Sequence, residues 1–109
     1  MYEIELYTKA NGKSPFKEWF NNLDLQTQIR VESRIDRLYL GNFGDCKALG
    51  DGIQELRLHF GPGYRVYFSI IGKQLVVLLA GGEKSTQDKD IKNAKEYFKE
   101  YRKSEIGRK

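Results

Sequence analysis

The sequence predicts an α+β domain with the order β-α-α-β-β-β-α, its helices packed on a small, mainly antiparallel sheet. Three observations predict it. Apolar and polar residues alternate at the N-terminus and in two central runs, the period of half-buried strands. Apolar residues recur every three or four positions in three other stretches, the period of helices. Glycine and proline clusters separate these runs.

The first strand is Tyr2-Glu3-Ile4-Glu5-Leu6-Tyr7. Tyr2, Ile4 and Leu6 face one way, and Glu3, Glu5 and Tyr7 the other, until Asn11-Gly12 ends the run. Ser14-Pro15 then opens a helix, with Ser14 as N-cap and proline at the first helical position, where its missing N–H has no helical partner. Phe16, Trp19, Phe20 and Leu23 give that helix an aromatic face. Asp24 is placed to cap a second helix over residues 25–40, with Val31, Ile35 and Leu38 in one stripe and Leu25 and Ile29 adjoining it. Arg30, Arg34 and Arg37 lie off the stripe and read as a solvated face, and Gly41 stops the helix. Residues 41–52, with four glycines, read as a loop.

Leu56, Leu58 and Phe60 then alternate with Glu55, Arg57 and His59, and Val66, Phe68 and Ile70 with Arg65, Tyr67 and Ser69. Gly61-Pro62-Gly63 turns one run back on the other, and Gly72-Lys73 makes the next turn. Residues 75–79 are apolar throughout, as expected of a central strand covered on both faces. Gly81-Gly82 leads into the last helix, for which Ser85 is the expected N-cap and Ile91, Ala94, Phe98 and Tyr101 the packing stripe, with Tyr97 beside it. Residues 102–109 carry no pattern and read as a frayed basic tail.

The chain has 109 residues, the size of one domain, and 39% of them are hydrophobic against 31% charged, enough for one modest core. The net charge is +4, and all of it lies from Lys84 onward, where nine Lys/Arg face five Asp/Glu. A single cysteine, Cys46, excludes an intrachain disulfide and any metal site built on paired cysteines, and a single histidine excludes a two-histidine metal motif. No apolar run reaches the length of a membrane span, and the acidic, alternating N-terminus is unlike a secretory signal. A cytoplasmic protein is expected.

The chemistry is sought in two places. Alternation puts Arg57, His59, Arg65 and Tyr67 on the polar face of the hairpin. Cations directly opposite one another repel, so either an anion holds them or an acid such as Glu55 pairs them. The second place is Gly81-Gly82-Glu83-Lys84-Ser85-Thr86-Gln87, where a helix N-terminus with Lys84, Ser85, Thr86 and Gln87 beside it favours an anion; a plain turn and cap is the other reading. Basic and aromatic residues interleave through both, a combination suited to phosphate and unpaired bases.

Residues 51–57 (DGIQELR), 61–67 (GPGYRVY) and 78–87 (LLAGGEKSTQ), with Asp90-Ile91 and Ala94-Lys95, resemble the HigB-like, Gp49-like branch of the RelE toxin superfamily, small addiction-module killer proteins. The resemblance covers nearly the whole chain. It implies the toxin of a type II toxin–antitoxin module, an mRNA endonuclease that works on the ribosome without metal or other cofactor. The 2′-OH would attack the adjacent phosphate and leave a 2′,3′-cyclic phosphate. Arg65 and Lys84 match the family's phosphate-stabilising positions, and Arg57 matches a basic strand position. Gln87 to Ile91 supply neither the tyrosine nor the histidine that some relatives carry there, which leaves His59 or Tyr67 as the base, or no base at all. Lys47, Tyr64, Ser85, Gln87, Lys92 and Lys95 are the expected RNA contacts. The implied partners are mRNA, the ribosome and a cognate antitoxin, in this branch a HigA-like helix-turn-helix protein; no membrane is implied. Two other classes stay open: a ParE-like gyrase inhibitor without nuclease activity, and a non-catalytic RNA-binding module.

Overall fold

The computed structural model describes residues 1–107. The elements are β1 (Glu3–Leu6), α1 (Pro15–Asn21), α2 (Leu25–Tyr39), β2 (Cys46–Gly50), β3 (Ile53–Leu58), β4 (Tyr64–Ile71), β5 (Leu75–Glu83), a 3₁₀ turn (Lys84–Thr86) and α3 (Gln87–Gly107). They form one five-stranded sheet in the order β1-β5-β4-β3-β2. Only β1 and β5 run parallel, with Glu3 opposite Leu75; the other pairs are antiparallel. The class is α+β with a mainly antiparallel sheet, as expected.

The local signals behave as their chemistry requires. The Ser14 hydroxyl accepts the Lys17 N–H at 3.2 Å, with Pro15 at the first helical position. The Asp24 carboxylate accepts the Thr27 N–H at 3.3 Å. The alternation of β1 sorts side chains between two cores. Tyr2, Ile4 and Leu6 pack with α1 and α2 around Phe16, Val31, Leu38, Val66 and Phe68. On the other face Tyr7 stacks on Tyr97 at 5.2 Å and joins Ala94, Phe98 and Tyr101 of α3.

Four expectations change. Residues 41–52 are not all loop, because Cys46–Gly50 pairs with β3 as an added edge strand. Asp51 and Gly52 both have positive φ (54° and 80°), the geometry of a two-residue hairpin turn, and that turn folds a run without strand-like alternation back onto β3. Residues 76–79 are indeed buried and Leu75 half-buried, but β5 lies second in the sheet and β4 takes the centre. Leu25 and Ile29, at 71% and 58% exposure, stand outside the core beside the buried α2 stripe. Finally, α3 continues through residues 102–107 as helix, while 108 and 109 lie outside the described residues.

No helix among the described residues is long and apolar enough to cross a membrane.

Candidate functional site

The site forms where two rows of side chains cross the sheet beside the first turn of α3. In one row Lys47 of β2 lies opposite Glu55 of β3, and Glu55 opposite Tyr67 of β4. In the next, Arg57 of β3 lies opposite Arg65 of β4, and Arg65 opposite Gly82 of β5. The hairpin register therefore places two guanidiniums side by side, as the alternation of the sequence requires.

Glu55 answers their repulsion. Its side chain is wholly buried (0% exposed), and both oxygens are engaged. Arg57 Nε donates to Oε1 at 2.9 Å, Gln87 Nε2 donates to Oε2 at 2.8 Å, and Arg65 Nε stands 3.5 Å from Oε2 as an ion pair. Burial alone would raise the Glu55 pKa. Hydrogen bonds from Arg57 and Gln87, with the charges of Arg57 and Arg65, outweigh it and hold the carboxyl below its ordinary value. It is a buried anion, not a buried acid.

The two arginines are held differently. Arg65 has a side chain 12% exposed and is tied a second time, Nη1 donating to the Gly63 carbonyl at 2.9 Å. Arg57 is 29% exposed and uses only Nε. Behind its strand, Arg34 Nη1 donates to the Arg57 carbonyl at 2.7 Å, and Arg30 lies over the Phe60 ring at 4.4 Å, so these α2 cations brace β3 rather than simply facing solvent. Lys84 joins from the other side. A Cβ on Gly63 would lie 3.4 Å from Arg65 Nη1 and 3.5 Å from Lys84 Cβ, which puts both residues against the same turn. Ser85 and Gln87 line, with Lys84, a cleft of ≈ 420 Å³ at the start of α3.

The Gly81-Gly82 pair has another role than the one expected. Both residues are strand, paired with Val66 and Arg65, and neither has positive φ. They are glycine for space. A Cβ on Gly81 would enter the Trp19 ring on one face, and a Cβ on Gly82 would enter the Asp90 carboxylate on the other. Ser85 is not the cap; Glu83 holds that position, and the Thr86 hydroxyl reaches back to its N–H at 3.4 Å.

The structure separates the remaining sequence candidates. Tyr67 shares the arginine face but is fully buried under α3, its hydroxyl without a hydrogen bond of good geometry. Burial and the nearby Glu55 and Asp90 charges push its pKa up, so it is poorly placed as a base. His59 lies past the end of β3, where alternation no longer applies; its Nε2 meets the Asp45 carboxylate, at a groove lined by Ile29, Arg34 and Arg37. Tyr64 packs between Phe60 and Trp19. Lys47 is exposed on the row of Glu55. Lys92 and Lys95 face a different cleft with Lys99 and Arg102, and Lys95 pairs with Asp51 at 3.3 Å. Glu55 itself was foreseen only as a counter-ion, and its central burial depends on where α3 packs. Among the described residues, no cluster of three or more His, Cys, Asp or Glu could hold a metal ion.

Fold and site together define a small basic α+β protein with two arginines gathered around a buried glutamate at a sheet–helix junction. The chain belongs to the family of Gp49-like phage-derived proteins, whose family model matches residues 18–100. That family is associated with RelE- and HigB-like toxins, and the strand order is consistent with a small RelE-like fold. The chain is also 53% identical over 81 residues to an "Uncharacterized protein" of Haemophilus influenzae, an alignment covering 73% of this chain and 82% of that one.

Proposed function

We propose that the protein is the toxin of a type II toxin–antitoxin module and cleaves mRNA on the ribosome without metal. The observation that carries this reading is that Arg57 lies opposite Arg65 in the hairpin while Lys84 stands with Arg65 against the same turn. In the reaction the 2′-OH loses its proton, O2′ bonds to the adjacent phosphorus, and the P–O5′ bond breaks. The 5′-oxygen leaves as a hydroxyl and a 2′,3′-cyclic phosphate remains. Negative charge grows on the phosphorane oxygens, where planar guanidiniums and an ammonium stabilise it most. Arg65 is the fixed donor, Arg57 the reaching one, and Lys84 a mobile point charge. His59 stands apart from these cations, in the groove beside α2, so positioning on the ribosome and electrostatics carry the step without an assigned base. Lys47, Ser85 and Gln87 border the path of the RNA. Family membership supports a toxin, and an antitoxin is the partner expected to restrain it.

Induction of the chain without an antitoxin should arrest growth, with site-specific breaks in mRNA by primer extension. Arg65→Ala combined with Lys84→Ala should relieve the arrest, with Trp19 fluorescence confirming that the variant is folded despite the loss of a Glu55 partner. Arrest with intact transcripts and damaged DNA would transfer the protein to the gyrase-inhibitor class.

A further inference from the structure

We propose that Glu55 is a positioning residue acting as a resident anion: it holds Arg57 and Arg65 oriented for an RNA phosphate while weakening their affinity for that phosphate before reaction. The inference deepens the reading of the same site and rests on it.

Three features carry the argument. First, Glu55 has no free oxygen to offer RNA, since Arg57, Gln87 and Arg65 surround the carboxylate. It therefore acts through the arginines and not on the 2′-OH. Second, both guanidiniums approach Glu55 by Nε. Arg57 then keeps both terminal nitrogens without a protein acceptor among the described residues, and these can grip two phosphate oxygens. Third, a buried ion pair is a poor device for stability, because desolvating the charges offsets most of their attraction. A sheet face held only for stability is served as well by apolar side chains. Here a buried carboxylate sits beneath Arg57 and Arg65, with Lys47 beside it in register and Lys84 beside Arg65.

The consequence is a differential effect. A ground-state phosphodiester carries one negative charge and competes with Glu55 for the arginines. The phosphorane carries more, so the arginines' charge is realised most fully as bonds change, which raises turnover rather than affinity. Removing the Glu55 charge should therefore strengthen RNA binding and slow cutting. A purely structural Glu55 would lose both together.

The test compares wild type, Glu55→Gln and Glu55→Asp in two assays. The first is binding to a short single-stranded RNA with every 2′-OH methylated, which cannot be cut. The second is single-turnover cleavage on programmed ribosomes at saturating enzyme. Glu55→Gln raises the local charge by one and is expected to bind about 3- to 10-fold tighter at low salt, where nearby charges are least screened, and to cut at least about 10-fold more slowly, the order of loss expected for misplaced groups. Glu55→Asp keeps the charge but shortens the reach, so it should bind as wild type does and still cut more slowly. It provides the same separation if the glutamine variant does not fold. Binding and cutting that fall in parallel, or cutting unchanged in a folded variant, would overturn the proposal. If wild-type protein cuts no RNA, the nuclease reading fails, while tighter binding by Glu55→Gln still supports the resident anion.

Discussion

Gly81 and Gly82 permit a test of packing and of the site from adjacent positions of one strand. Gly81→Ala places a methyl within 3.0 Å of three Trp19 ring atoms, where carbons rest at about 3.5–4.0 Å. The ring must retreat by on the order of 1 Å, disturbing its contacts with Phe16 at 5.8 Å and Tyr64 at 6.4 Å. Overpacking of this kind costs about 1–3 kcal/mol, or roughly 5–15 °C in Tm for a chain of this size. Trp19 is the only tryptophan, so the same change should shift its emission to the red and reduce urea resistance. Gly82→Ala meets the carboxylate end of Asp90, with Cγ at 2.7 Å and Thr86 Oγ1 at 3.2 Å, and a carboxylate can swing away. It should cost less than about 1 kcal/mol of stability, leave Trp19 emission native, and reduce cleavage about tenfold by shifting the turn that carries Lys84 and Gln87. Equal stability of Gly81→Ala and wild type, with unchanged emission, would refute the reading of these glycines as space-makers.

Three further outcomes follow from the titratable groups. Tyr67→Phe removes a buried hydroxyl that lacks a good hydrogen bond, so urea denaturation should show stability unchanged or raised by about 1 kcal/mol, with toxicity retained. The Tyr67 pKa is raised in the folded state, so folding holds a proton that the unfolded chain releases above about pH 10. Wild-type stability should fall with pH there, and the phenylalanine variant should fall less steeply, with Tyr7, raised first by burial, accounting for the remainder. On the acid side Glu55, Asp45 and Asp24 all titrate below their ordinary values in the folded state. Their stabilisation is therefore present above about pH 4 and lost as pH falls through the depressed values. Thermal melts from pH 5 to pH 2 should show this loss, and Glu55→Gln should flatten part of it.

What the sequence revealed depended on how local each cause was. Ser14-Pro15 and Asp24 act within one helical turn, and the structure uses both as caps. Alternation placed Arg57 opposite Arg65 because a strand's faces are set residue by residue. The same rule carried past Leu58 misplaced His59, since the strand ends there and the ring turns to Asp45. Cys46-Lys47-Ala48-Leu49-Gly50 has no strand pattern of its own, although Asp51-Gly52 is a strong hairpin signal that could have revealed β2. Leu25 and Ile29 fall near the helical stripe yet point away, because the sheet meets only part of α2. Glu55 shows the limit most clearly. Its face was legible, but its burial and its bond to Gln87 join residues 32 positions apart through the packing of α3.

The parallel pairing of β1 with β5 has a consequence for the order in which the chain acquires its shape. Strands β2 to β5 are joined by short turns and can zip together as successive hairpins. β1 must instead wait for a partner near residue 75, a closure costing roughly 4 kcal/mol in chain entropy. During synthesis β5 keeps a bare edge until the first residues return to it, and α3, which covers Tyr7 and supplies Gln87, emerges later still. The cluster of Glu55, Arg57, Arg65 and Gln87 is thus closed only after α3 docks on the sheet. Until then the Glu55 carboxylate has its arginine partners from the β3–β4 hairpin but not Gln87.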